Sequence, residues 1–213
     1  MPFYGDNLRL LRVFAKKTQL QLAQEVSVSE AAIWQFERGK EPTDTILDAL
    51  GIVLKVDREF FCARLADELT ERNCNFRKGS TSVEKVRKRV LAQGTLFSYV
   101  ASHIRGQHKL ALPPFDVPTI SSTIAEIESA ADHCRKHWGL GDGPISNMAR
   151  VLENAGIMIT RLRNDESAKL DAFSHRGERD ALSFVGLHQA QGSTSRTRFD
   201  YAHELAHLVL HKD

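Results

Sequence analysis

In the stretch HELAH at residues 203–207, two histidines stand four residues apart, with a glutamate beside the first. On an α-helix this spacing projects His203 and His207 from one face, a turn apart, so the two imidazoles can hold one zinc ion. Glu204 can reach a water on such an ion, which makes it a proton acceptor rather than a ligand. A zinc ion held there supplies hydroxide near neutral pH and polarises a peptide carbonyl, while the glutamate takes and returns the proton. The competing reading is two solvated histidines on a surface helix.

Several elements must position this pair. The last helix is expected to start near Thr197, where Thr197 and Asp200 have the spacing of a capping box, and to turn Phe199, Ala202, Ala206 and Val209 toward the core. Upstream, residues 123–138 read as a helix with Ile124, Ile127, Ala131 and Cys134 inward. The run GLGDGP follows as a turn. It lacks the preceding strand, the lysine and the hydroxyl residue of a phosphate loop. Residues 145–154 suit another helix, and GIMITRL, LDAFSH and ALSFVGLH are short strand candidates. Two helices, a small sheet and a closing helix make an α+β domain.

The first sixty residues have a different period. Leu8, Leu11 and Phe14 recur at helical spacing, and Leu22, Ala23 and Val26 form a second apolar face. Ser29 is placed to N-cap a third helix reaching Glu37, with Ala32, Ile33 and Phe36 inward and Gly39 as its stop. After Pro42, the residues Ile46, Leu50 and Leu54 mark a fourth helix. Asp57 can cap a last turn leading to Phe60 and Phe61. Gly51 inside the fourth helix is a propensity cost with no function to assign from sequence.

Two short helices joined by VSVS match the requirement of a helix-turn-helix, in which the first helix braces the second in the major groove. The run TQLQLAQEVSVSEAAIWQFERGKEPT resembles the DNA-binding domain of Cro and C1-type phage repressors, the XRE-like class, over roughly residues 7–61. That resemblance implies contacts with a double-stranded DNA operator through Gln19, Ser29, Glu30, Ala31, Gln35 and Lys40, and two half-sites read by a homodimer. Gln19 and Gln35 can offer a donor and an acceptor to adenine, and Ser29 can bond a base or a phosphate. Glu30 can accept from cytosine N4 but repels phosphate, and Ala31 offers only a methyl contact. Trp34 is expected as a packing or dimer residue rather than a base-stacking one. A helical module for protein contacts is the alternative.

Between these ends the chain is basic: residues 72–110 hold nine basic residues against one acidic. Ser82 can cap a helix with a stripe of Val83, Val86, Val90, Phe97, Val100 and Ile104 and a cluster of Lys85, Arg87, Lys88 and Arg89 near its start. A packed bridge is favoured over a nucleic-acid surface, and both over a membrane-lying helix. A further helical stretch over residues 63–71 is open. Three prolines in ALPPFDVPTI mark the clearest boundary.

Composition sets the limits. The chain has 213 residues, 42% of them hydrophobic, enough for an ordinary domain with a small companion. Three cysteines without a CxxC pattern argue against a disulfide framework and a thiolate zinc site. No run of about 18 apolar residues and no signal-peptide pattern is present, so a cytoplasmic protein without a membrane partner is expected. The formal charge of +2 names no partner.

Residues 121–211, with DAFS and RFDYAHELAHLVLH, resemble the ImmA/IrrE-type metallopeptidase domain, and NFRKGSTSVEKVRKR resembles the connector in fusions of that domain to an XRE-like head. The resemblance implies His203 and His207 as Zn2+ ligands and Glu204 as the catalytic residue. Its implied substrate is a repressor or antitoxin protein, whose loss relieves transcription. The expected organisation is a mainly α, five-helix helix-turn-helix domain at 1–65, a basic helical connector at 66–117 and an α+β zincin-like domain at 118–213.

The pattern departs from the family where an acidic third ligand is due on a later helix. The sequence reaches Asp213 first, and His211, a turn beyond His207, points past the metal. Glu128, Asp165 and Asp171 are carboxylates that only tertiary folding can bring near. Two imidazoles and two waters would bind zinc weakly. Two readings remain: a DNA-binding regulator with an incomplete peptidase module, ranked first, and a peptidase completed by further sequence or a partner.

Overall fold

The computed structural model describes residues 2–65, 68–76, 84–108, 123–162, 172–177, 182–188 and 194–210. Among them are eight α-helices, one 3-10 helix and four strands, a mainly helical α+β architecture. The chain divides into two compact units, residues 1–68 with 87–99 and residues 69–86 with 100–213.

The first unit begins with α1 (Gly5–Phe14), α2 (Gln19–Glu25), α3 (Glu30–Phe36) and α4 (Asp44–Leu54), followed by the 3-10 helix Arg58–Cys62. Short helices need their ends satisfied, because the first N–H groups have no partner within the helix. Thr18 does this for α2 in a reciprocal capping box with Gln21, and Ser29 Oγ accepts from the Ala32 N–H at 3.1 Å to start α3. Gly39, at φ +94°, lies just beyond the end of α3. Asp57 occupies the cap position of the 3-10 helix, but its side chain makes no capping bond.

One core joins these helices through Leu8, Leu11, Leu22, Ala23, Val26, Ile33, Phe36, Leu47, Leu50, Leu54 and Phe61. Phe14, expected inward, is exposed, and Leu10 is buried in addition to Leu8 and Leu11. Gly51 has a steric reason: a Cβ there would lie 2.8 Å from the Val56 carbonyl oxygen, where the chain folds back after α4. Lys55, in the left-handed region at φ 60°, makes that reversal. The described residues of 63–71 are not helical, contrary to the open expectation, although Leu69 is buried there.

A polar brace crosses this unit. Arg12 donates through Nε and Nη2 to the two oxygens of Glu37, and its Nη1 donates to the Lys17 carbonyl at 3.0 Å. Bidentate pairing of this kind fixes geometry as well as adding electrostatic attraction. Gln19 Nε2 donates to the same Glu37 carboxylate at 2.7 Å, so α1, α2 and the end of α3 share one carboxylate.

The long helix α5 (Glu84–His108) has its middle in the first unit and both ends in the second. Val90 is buried as expected, together with Leu91, Ala92, Thr95, Ser98 and Ala101, whereas Val100 and Ile104 are exposed. Two alanines and two hydroxyl residues, Thr95 and Ser98, occupy most of the buried stripe. Thr95 satisfies its hydroxyl by donating to the Leu91 carbonyl one turn back at 2.9 Å. Tyr99 meets Phe60 edge to face, with ring centroids 5.4 Å apart. Ser82 and the proline-rich 111–120 lie outside the described residues.

The second unit holds the sheet. Its strands are β1 (Cys74–Phe76), β2 (Met158–Leu162), β3 (Ala172–His175) and β4 (Phe184–His188), in the order β1-β3-β4-β2. β2 runs parallel to β4, and the other neighbours are antiparallel. β1 comes from the segment expected as a helical connector, pairing Cys74 with His175. One sheet face, with Ala172, Val185 and Leu187, packs into a core with α6 (Ile124–His137), α7 (Met148–Asn154) and α8 (Thr194–Leu210). Gly186 leaves room for its antiparallel partner Phe173, because a Cβ there would lie 2.2 Å from that ring.

Three helix expectations need correction. α6 is capped by Thr123 with Glu126, but it buries Ala130 and Cys134 and leaves Ile124, Ile127 and Ala131 exposed. α7 starts at Met148, capped by Asn147, later than residue 145. α8 starts at Thr194, which puts Thr197 and Asp200 inside it rather than in a capping box. Among the described residues, no helix is long and apolar enough to cross a membrane.

Candidate functional site

α8 carries the candidate metal-ligating residues, and its orientation decides what each can do. Its buried residues are Asp200, Tyr201, Glu204, Leu205, Leu208 and Val209, a stripe at helical spacing. Phe199, Ala202 and Ala206, expected to face the core, are exposed, and of that set only Val209 is buried. The helix is thus turned so that Glu204 faces inward with no exposed surface, while His203 and His207 lie on the neighbouring, partly exposed flank. Arg176, immediately after β3, donates to the Leu208 carbonyl at 2.9 Å, which ties the last turn of α8 to the strand end.

The imidazoles do come together. Their Nε2 atoms are 3.1 Å apart, and the rings meet nearly at right angles with centroids 4.7 Å apart. At this distance one ring can donate its N–H to the other's lone pair, or both lone pairs can face one cation. Two zinc–nitrogen bonds of about 2.0–2.1 Å at a tetrahedral angle place their nitrogens roughly 3.3–3.4 Å apart, so a small opening of the pair suits zinc. With Glu204, these groups offer three ligand atoms within 4.8 Å of one another, a possible metal-binding triad. The ring of Phe199 stacks against His203 at 6.1 Å, one turn earlier on the same flank.

Among the described residues, no further histidine, cysteine or carboxylate joins that group. Glu128 is exposed on α6 and is not part of it. Asp165, Asp171 and His211 lie outside the described residues.

In the first unit, the residues singled out for DNA contact gather around α3. Ser29, Glu30, Ala31, Gln35 and Lys40 are all exposed, whereas Ile33, Phe36 and Glu37 are buried. Ser29 accepts the Ala32 N–H and keeps its own O–H to give. Lys40 Nζ donates to Gln35 Oε1 at 2.9 Å, a bond that leaves the amide N–H donors of the exposed Gln35 unused. Gln19 is only partly exposed, and its amide nitrogen is engaged by Glu37. One N–H of its amide is spent on that bond, which leaves a second N–H as a donor and the carbonyl oxygen as an acceptor.

Trp34 and Arg38 belong to this exposed stripe and were not read from sequence as contact residues. Their i, i+4 spacing beside Gln35 was the available signal. Arg38 lies over the Trp34 ring, 4.3 Å from its centroid. The chain matches no protein-family model and no curated protein.

Proposed function

We propose that this chain is a transcriptional regulator that recognises double-stranded DNA through α3, with α2 as the bracing helix of an XRE-like helix-turn-helix. The observation that carries this reading is the division of α3 into two faces. Ile33 and Phe36 anchor it in the core, and Glu37 is held by Arg12 and Gln19, so the face bearing Glu30, Ala31, Gln35 and neighbouring Lys40 is presented on a rigid support. Gln35 offers the adenine-reading amide, Lys40 adds positive charge beside it, and Ser29 supplies a hydroxyl at the entry to the helix. Two copies on two half-sites would supply the affinity that one short helix lacks.

Selection from a random duplex library tests this directly. An enriched motif whose preference is lost in Gln35→Ala, with little change in salt dependence, is the expected result. Failure to enrich any sequence, with no duplex binding even at low salt, would remove the reading.

A second reading is favoured by the geometry on α8: a zinc-dependent peptidase of the ImmA/IrrE type acting on a repressor or antitoxin protein. The 3.1 Å separation of the two imidazole nitrogens suits one zinc ion, and the buried Glu204 carboxylate lies within reach of that position. Bound zinc would supply Lewis acidity toward a carbonyl and a water of lowered pKa. His203 and His207 would hold it, and Glu204 would accept and return a proton from the inner side of the helix. Glu204→Gln is expected to keep metal uptake and lower zinc-dependent cleavage of a protein substrate by roughly 100-fold or more. Equal cleavage by both proteins would exclude Glu204 as the base.

A further inference from the structure

The stacked pair on α3 extends the DNA reading, on which this inference rests. Trp34 is half exposed, a large apolar area to leave on a seven-residue helix. Arg38 covers one face of its indole ring from one turn further along, with the guanidinium carbon 4.3 Å from the ring centroid. Other guanidiniums of the same unit are engaged by carboxylates: Arg9 by Asp6 and Glu68, Arg12 by Glu37, and Arg58 by Asp44 and Asp48. Among the described residues Arg38 has no carboxylate partner. Its fork of N–H donors is therefore held in a plane by the indole while staying open at its edge.

The placement gives that open edge a target. Residues 30, 31, 34 and 35 are exposed on α3, and the exposed Arg38, two residues past its end, lies over Trp34, so Trp34 and Arg38 continue the surface that holds Gln35. Arg38 sits at its C-terminal end, away from the first turn. In a helix lying in the major groove, side chains beyond the base-reading turn meet the sugar–phosphate wall. A planar guanidinium fits the two unbridged oxygens of a phosphate, and the apolar edge of an indole fits deoxyribose. The nearby carboxylate of Asp6 is paired with Arg9 at 3.2 Å, which lessens its repulsion of a phosphate.

We infer that Trp34 and Arg38 form a prearranged arm that grips the DNA backbone beside the bases read by Gln35. Arg38 supplies the phosphate contact, and Trp34 is a positioning residue that holds the guanidinium in place and packs on the adjoining sugar.

The test is a salt titration of duplex binding by the full chain, using the duplex enriched in the selection and an unrelated duplex of equal length. Arg38→Gln is expected to weaken both by about 10-fold near 0.15 M salt and to reduce the slope of log affinity against log salt by about one. Trp34→Ala should flatten the slope similarly, and Trp34→Phe should restore it, a rescue that bulk loss of folding would not show. The chain has two tryptophans, so Trp138→Phe isolates Trp34, whose fluorescence should change on DNA addition. An unchanged slope in Arg38→Gln or in Trp34→Ala overturns the inference. If the wild type still shows the preference that Gln35→Ala abolishes, the DNA reading survives that failure. Absence of duplex binding by the wild type overturns both.

Discussion

The Nε2 atoms of His203 and His207 stand 3.1 Å apart, and the glutamate between them in sequence, Glu204, is turned to the adjacent, buried side of the helix. A shared hydrogen bond and a shared cation demand nearly the same separation. The observed separation is therefore compatible with a shared metal ion as well as with a hydrogen bond between the rings.

Zinc uptake should depend on both rings. Competition against a chromophoric chelator is expected to show one bound zinc per chain, with affinity lowered at least 10–100-fold in His203→Ala and in His207→Ala, the range that loss of even an outer-shell partner costs. Free zinc at 100 times its Kd should stabilise the wild type by about 2.7 kcal/mol. Equal uptake by the wild type and both variants would refute the site.

Arg12 and Glu37 should prove strongly coupled. Glu37 is nearly buried, so Glu37→Ala leaves the Arg12 guanidinium without its carboxylate and is expected to cost about 3–5 kcal/mol in urea unfolding. Arg12→Met with Glu37→Leu should recover much of that loss, because neither charge is then left alone. Additive effects of the two positions would show that the brace contributes little.

Gly51→Ala provides a sign test. In an ordinary helix interior, alanine is favoured over glycine by about 0.8–1.0 kcal/mol. Here the new methyl group would meet the Val56 carbonyl at 2.8 Å, so destabilisation of roughly 1–3 kcal/mol is expected from overpacking. A stabilised variant would mean that the turn after α4 yields easily.

Alkaline stability should be limited in the second unit. Burial raises the Cys134 thiol above its ordinary 9.0, and burial also raises the Tyr201 hydroxyl above 10.0, with Arg161 opposing and Glu153 assisting. An acid whose folded-state pKa is raised contributes stability in full below its unfolded value, and that stability is lost as pH rises through the folded value. Thermal unfolding should therefore weaken from about pH 9 upward, and Tyr201→Phe should flatten the decline above about pH 10. An identical pH profile for the variant would contradict the assignment to Tyr201.

Much of this molecule was legible one segment at a time. Ser29 as a cap, Gly39 as a stop, the core pair Ile33 and Phe36, and the three later strands follow from local hydrogen-bonding needs and from period. The HELAH spacing likewise brings His203 and His207 together whatever surrounds them, because a helix repeats about every four residues. Failures came where a local pattern allowed two answers. β1 is only three residues long, and its pairing with β3 joins segments a hundred positions apart, a partnership that no local window contains.

What the sequence by itself determined is the existence of these helices and the coincidence of two imidazoles on one of them. Only the tertiary structure decided which side of α8 is buried. Phe199, Ala202 and Ala206 compete at helical spacing with Tyr201, Leu205 and Leu208, and periodicity cannot rank two apolar stripes on one helix. Packing against the sheet and α7 chose the second. That choice sent Glu204 inward and left Phe199 outside, because burial is settled by the shape and area of the surface a helix meets.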